Sequence, residues 1–283
     1  MDKPTIFNIE NQTECFSVLF NRIFDAIGDL RKPKQIVNEA RAYAEAEIIQ
    51  AQGEAVVQEI KQRAATRLLY EEVERQKNIE QIIMKSIEGV DPTSSKPQDM
   101  QKDWLVDFFE KCRIVSDDDM QTLWAKILSG EANKPGSFSK RTVSVTSLLD
   151  KVEAELFTSL CRFVWTFDGL AYPLIFNDHW PYFTGKNLNT IKLDMLETAG
   201  LIIYKTGGYM RTIDQRKIKA SYYGRNFDVD LQRCKEGRYS MGFIFFTQAG
   251  RELFSICESK PEEDFIDLVI NTFSGRNIIF TPA

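Results

Sequence analysis

IVNEARAYAEAEIIQAQGEAVVQEIKQRAATRLLYEEVERQKNIEQIIMKSIEGV, residues 36–90, holds no proline and, before its last two positions, a single glycine, Gly53. Alanine, glutamate, glutamine, arginine and lysine dominate it, and these residues give up little freedom on entering a helix. One helix from Lys34 to Val90 would extend roughly 85 Å at ~1.5 Å per residue. A rod that long outruns any compact neighbour and is too poor in apolar side chains to stand alone, so it calls for a partner helix. Pro33 suits a first turn, where its missing N–H is no loss. Gly89 and Pro92 close the run. Val37, Ala40, Ala44, Ile48, Ala51 and Ala55 form one helical stripe, and Ile49, Val56, Ile60, Ala64 and Leu68 form a second beside it. Their spacing lies nearer 3.6 than 3.5 residues, which does not predict a strict left-handed heptad coil. The expectation is a homo-oligomer built through Val37, Ala40, Ala44, Ile48, Ala51, Ala55 and Ile60.

Upstream, residues 1–33 hold an amphipathic helix over 11–30, with Phe16, Leu19, Phe20, Ile23, Phe24, Ile27 and Leu30 at three-to-four spacing. Phe16, Phe20 and Phe24, followed by Arg31, Lys32 and Lys34, are candidates for contact with a membrane surface. Glu14, Asp25 and Asp29 sit on the polar face, where surface-seeking helices carry Lys and Arg, and so favour packing against protein. The five cysteines are scattered, with no CxxC or CxxH spacing, which predicts neither a disulfide framework nor a zinc site. With no basic and apolar leader at the start and no apolar run of ~18 residues, the chain reads as cytoplasmic, with the periphery of the inner membrane as the alternative.

DPTSSKPQD makes residues 92–103 a linker by composition, and apolar content rises after it. Residues 104–170 read as a helical subdomain. Trp104, Leu105, Phe108, Phe109 and Cys112 share one helix face. Ser116 is the expected cap of a second helix, which buries Met120, Leu123, Trp124, Ile127 and Leu128 and stops at Gly130. A third, long helix is expected from about 140 to 167, capped by Ser139 or Thr142, with Val145, Leu148, Leu149, Val152, Leu156, Leu160, Phe163, Val164 and Phe167 inside. Residues 171–283 read as an α+β domain. NLNTIKLDMLETAGLIIY predicts a helix that buries Leu188, Ile191, Leu193, Leu196 and Leu201, with Gly200 at its C′ position before a strand. RYSMGFIFFTQAGRELFSIC predicts a strand and a Thr247-capped helix, and PEEDFIDLVINTFS a terminal helix before a last strand at NIIF.

Catalytic signals are poor. His179 is the single histidine, with Asp178 beside it but no HExxH or HxE spacing. No phosphate-binding glycine loop and no GxSxG elbow occurs. Asp117, Asp118 and Asp119 point in different directions from a helix start, so no metal is expected, nor any cofactor. The insert 205–240 is richer in chemistry. Lys205, Arg211, Arg216, Lys217, Lys219, Arg225, Arg233, Lys235 and Arg238 outnumber the acids Asp214, Asp228, Asp230 and Glu236. Tyr209, Tyr222, Tyr223, Phe227 and Tyr239 are interleaved with them. Stacking combined with phosphate contact makes Arg211, Arg216, Lys217, Lys219, Arg225, Tyr222 and Tyr223 candidates for a nucleic acid or other anion. The plain alternative is an exposed hairpin or a protein-contact surface.

Three resemblances refine this. LDMLETAGLI (193–202) and FIFFTQAGRELFSI (243–256) resemble the second half of a winged-helix domain, in which the insert would be the wing. LWAKILSGE (Leu123–Glu131), PGSFSKRT (Pro135–Thr142), EAELF (Glu153–Phe157) and ERQKNIE (Glu74–Glu80) resemble a bacterial family known only as a domain of unknown function, which implies no activity. AEAEIIQAQGEA (Ala44–Ala55) is similar to the helical tails of prohibitin- and stomatin-like scaffolds, which implies assembly alone. The fold class expected is mainly α: a long N-terminal helical arm (34–91), a helical subdomain, and a C-terminal winged-helix-like α+β domain. The function expected is that of a non-enzymatic, homo-oligomeric interaction or sensor protein of bacteria, by analogy an accessory part of a regulatory or antiphage defence system. A nucleic-acid-binding regulator and a peripheral membrane scaffold are the alternatives.

Overall fold

The computed structural model describes residues 14–28, 55–176, 179–232, 234 and 237–283. The seam expected from Val37 to Ala51, and Asp178, Arg233, Lys235 and Glu236, lie outside the described residues, and Ala55 is described by its backbone alone. Two compact units meet in the chain at Val143/Ser144. The fold is mainly helical and of the α+β class.

In the first unit, α1 (Glu14–Ile27) packs on the residues after α2 (Ala55–Ile87). Its apolar face is used inside the protein: Leu19 and Ile23 are fully buried and Phe20 is 3% exposed. Of the three side chains considered for a membrane, Phe20 is therefore core, and Phe16 and Phe24 are half-buried. Residues 92–103 are not a loose linker. They hold a 3₁₀ turn at Pro97–Asp99, bury Pro97 and Met100, and donate the Lys96 N–H to the Ala132 carbonyl at 2.9 Å. The sequence signal there was a turn signal, which composition alone does not distinguish from a domain boundary.

α3 (Lys102–Cys112) buries Trp104, Leu105, Phe108, Phe109 and Cys112 as expected. α4 (Asp118–Asn133) is capped by Asp117 rather than Ser116. The Asp117 carboxylate accepts from the amides of Asp119 and Met120, each at 3.0 Å. The helix also runs through Gly130 to Asn133. Gly130 is needed within it because a Cβ there would lie 2.6 Å from the Phe138 ring. α2 docks on α4 through its C-terminal half: Ile79, Ile82 and Ile83 are buried, Gln121 donates to Gln81 at 2.9 Å, and Lys85 pairs with Asp118 at 2.6 Å.

α5 (Lys140–Thr146) carries the chain across the boundary. The long helix expected to 167 is three elements instead. α5 ends, α6 (Lys151–Cys161) restarts, and β1 (Val164–Phe167) follows. Asp150 causes the restart by forming a capping box with Glu153, and Leu148 in the turn is 83% exposed. Asp168 and Gly169, at φ 48° and 80°, turn β1 into β2 (Leu170–Pro173), as a two-residue type I′ hairpin requires.

After β2 come α7 (Trp180–Gly185), α8 (Thr190–Thr198) and β3 (Ile202–Tyr204). Gly200 at φ 76° ends α8 as predicted, with Leu201 N–H donating to Leu196 O at 3.0 Å and Gly200 N–H to Glu197 O at 2.9 Å. This double bond pattern is the Schellman arrangement. Ile191, expected in the core, is 71% exposed. The remaining elements are β4 (Met210–Thr212), β5 (Lys217–Tyr222), β6 (Arg225–Asp230), β7 (Arg238–Ser240), β8 (Ile244–Phe246), α9 (Gln248–Phe254), α10 (Glu263–Ser274) and β9 (Ile279–Pro282).

The main sheet has the order β2-β1-β5-β6-β9, antiparallel throughout. At its outermost strands the Leu174 amide donates to Phe163 O at 2.9 Å and the Ala283 amide to Asn226 O at 3.0 Å. One face of the sheet is core. Trp165 lies 5.2 Å from the Tyr222 ring and 5.3 Å from Phe227, and Phe273 of α10 lies 5.4 Å from Phe280. The β3–β8 and β4–β7 pairs form separate two-stranded ribbons.

Candidate interaction surfaces

The insert 205–240 is no free wing, since β5 and β6 are the middle of the main sheet. Strand alternation sends Ile218, Ala220, Tyr222, Phe227 and Val229 into the core and leaves Lys217, Lys219 and Asp228 outside. The register then sets Lys217 opposite Asp230 and Lys219 opposite Asp228. The outer face presents alternating charge rather than the basic track that a phosphate backbone would follow. Arg211 pairs with Asp168 at 2.9 Å, and Arg225 with Glu263 at 2.7 Å. Arg216 is exposed.

The two tyrosines differ. Tyr222, expected as a stacking residue, is 1% exposed and belongs to the core. Its hydroxyl accepts from the Glu262 amide at 2.8 Å and donates to the Arg162 carbonyl at 2.8 Å, and burial pushes its pKa up. Tyr223 stands at φ 46° in the β5–β6 turn, 40% exposed, with its hydroxyl on the Cys161 carbonyl at 3.3 Å. Replacing Tyr222 by Phe is expected to leave two main-chain groups unpaired. Thermal melting should show the second unit weakened by about 2 kcal/mol, or about 6 °C.

His179 Nε2 lies 2.8 Å from Thr272 Oγ1, so the ring ties α7 to α10. Glu262 does similar work, accepting from Arg162 at 2.6 Å and Lys186 at 2.7 Å. Among the described residues no group of His, Cys, Asp and Glu is arranged to hold a metal, and no helix is long and apolar enough to cross a membrane.

Among the described residues, two surfaces bear on function. The first is the N-terminal two-thirds of α2. No described side chain from Val57 to Lys77 is buried, although this stretch extends roughly 30 Å. Val57, Ile60 and Leu68 are 39%, 52% and 56% exposed. At 100° per residue they fall, with Ala64, within about 80° of one another. The charges beside them are paired along the helix, Arg63 with Glu59 and Arg75 with Glu71, each at 3.2 Å. The second surface is a groove of about 330 Å³ between α8 and β3, lined by Thr190, Ile191, Leu193, Asp194, Glu197 and Tyr204. Sequence reasoning missed it by placing Ile191 in the core.

The fold and its surfaces define a mainly helical α+β protein. The chain belongs to the family described as protein of unknown function (DUF2806), which matches residues 62–270. No curated protein and no solved structure matches it.

Proposed function

We propose that this protein is a non-enzymatic, homo-oligomeric interaction protein, assembled through α2 and recognising a protein segment at the α8–β3 groove. The apolar stripe Val57–Ile60–Ala64–Leu68 carries the reading. Intrahelical charge pairs contribute only about 0.3–0.5 kcal/mol each, too little to hold six turns of helix unsupported. A second copy fits as the occupant. In sequence, Ile49 and Val56 belong to the same stripe, and the self-paired charges leave a seam with no net preference for a partner of opposite sign.

The groove supports the recognition half. Its acids Asp194 and Glu197 flank the apolar Ile191 and Leu193, which suits an amphipathic segment bearing Lys or Arg. The order α8, β3, β8, α9, with β3 paired to β8, supports a winged-helix-like reading of this element, its wing position taken by the sheet-forming insert.

Light scattering on the full chain tests the assembly. The expected mass is a multiple of 32.6 kDa, reduced to one chain by Ile60→Asp with Leu68→Asp while the melting temperature of the second unit is unchanged. A wild-type particle of single-chain mass at micromolar concentration, or a double variant that still assembles, would sink the proposal.

A further inference from the structure

Cys161 is the last residue of α6 and is fully buried, whereas Cys257 lies half-buried in the irregular segment between α9 and α10. These two elements are fastened together there by Tyr223. Its hydroxyl holds the Cys161 carbonyl at 3.3 Å and is hydrogen-bonded to Ser259, two residues beyond Cys257. Cys257 lies beside the last turn of α6, where its thiol interacts with the side chains of Cys161, Thr158 and Ser259. Thr158 and Cys161 are three residues apart on one helix face, so a single half-buried sulfur reaches both.

We propose that Cys161 and Cys257 form an oxidisable dithiol, with Cys257 the attacking sulfur, Cys161 the resolving one, and hydrogen peroxide the oxidant. The environments divide the roles. Hydrogen bonding from Cys161, and from Thr158 and Ser259, holds the Cys257 pKa down to about 7 against the effect of burial. Burial pushes the Cys161 thiol well up, and its place at a helix C-terminus, where the dipole disfavours an anion, acts in the same direction. The Cys257 thiolate attacks one peroxide oxygen: an S–O bond forms, the O–O bond breaks, and the departing hydroxide leaves as water after taking a proton. The Cys161 sulfur then gives up its proton and attacks the Cys257 sulfur. The S–S bond forms, the S–O bond breaks, and a second water departs. Two thiols are oxidised by two electrons and one peroxide is reduced to two waters. The product would lock the end of α6 to the segment entering α10.

The test uses the full chain and hydrogen peroxide. Stoichiometric treatment is expected to remove about 2 Da and to yield one cross-linked proteolytic peptide pair containing Cys161 and Cys257. Before oxidation, Cys257 should alkylate at least about tenfold faster than Cys15 or Cys234. Cys161→Ser should lose the cross-link and leave a sulfenic acid on Cys257 that dimedone traps, whereas Cys257→Ser should lose both signals. If Cys161→Ser fails to fold, Cys161→Ala takes its place, and the peptide map of the natural chain decides alone. Oxidation of Cys257 to completion without the cross-link, or alkylation of Cys257 no faster than that of Cys234, overturns the proposal.

Discussion

Replacing Gly250 by alanine should destabilise the second unit by about 3 kcal/mol and lower its melting temperature by about 10 °C. The change would normally favour a helix by about 1 kcal/mol. Here the added Cβ would stand 2.0 Å from the Leu201 carbonyl oxygen and 3.1 Å from a Phe246 ring carbon. Backbone blocks one side, so no rotamer change relieves the clash. The close approach is built by Thr247, whose hydroxyl donates to the Gly200 carbonyl at 2.6 Å and accepts from the Gly250 amide at 3.1 Å. The first turn of α9 is thereby seated on the turn that ends α8. Gly185→Ala is the control, since nothing lies within 4 Å of the Cβ it would add. Calorimetric scans of both variants check the argument, and equal melting temperatures would refute it.

Glu131→Ala is expected to weaken the first unit by about 4 kcal/mol, seen as a melting temperature lower by about 12 °C. The Glu131 side chain belongs to a residue 2% exposed, and its two carboxylate oxygens accept from the amides of Gly136 at 2.7 Å and Phe138 at 2.9 Å. Those bonds shape the Pro135–Ser139 loop so that Phe138 covers Gly130 and offers its carbonyl to Trp104 Nε1 at 2.6 Å. Alanine leaves both loop amides without that acceptor. Glutamine keeps one acceptor oxygen and should cost about half as much. Hydrogen exchange at the Gly136 and Phe138 amides gives a local readout. If they stay as protected in the alanine variant as in the natural chain, this account of the loop is wrong.

The Glu131 carboxylate also accounts for the pairing of the two sequence motifs. LWAKILSGE and PGSFS are readable as helix, turn and cap, but the carboxylate that joins them is invisible to periodicity because it is a charge in the core. Where one face of an element decides its burial, the sequence was legible. The Trp104–Cys112 face, the Gly200 helix stop, the Thr247 cap and the apolar side of residues 14–27 all follow from spacing and stop chemistry. The failures have definite causes. An apolar pattern runs from Val145 to Phe167 without a break in character, and it outweighed both the Asp150–Glu153 box that divides it and the Asp168-Gly169 turn that follows it. In the insert, counting lysines and arginines drew attention to charge. The alternation Lys217-Ile218-Lys219-Ala220 and Phe227-Asp228-Val229-Asp230 says instead that half of each strand is core. Which acid would stand across from which lysine depends on a register that only the folded sheet fixes. The Cys161–Cys257 neighbourhood, nearly a hundred residues apart in the chain, carries no local signal at all.

The ends of the five-stranded sheet have a consequence for growth into fibrils. Because the Leu174 and Ala283 amides point inward to β1 and β6, the alternation of a β-ladder turns the nitrogens of Pro173 and Pro282 outward. An incoming strand would meet, at each margin, a ring where it needs an N–H donor. Both margins of the five-stranded sheet are thereby guarded against templating a polymer of it.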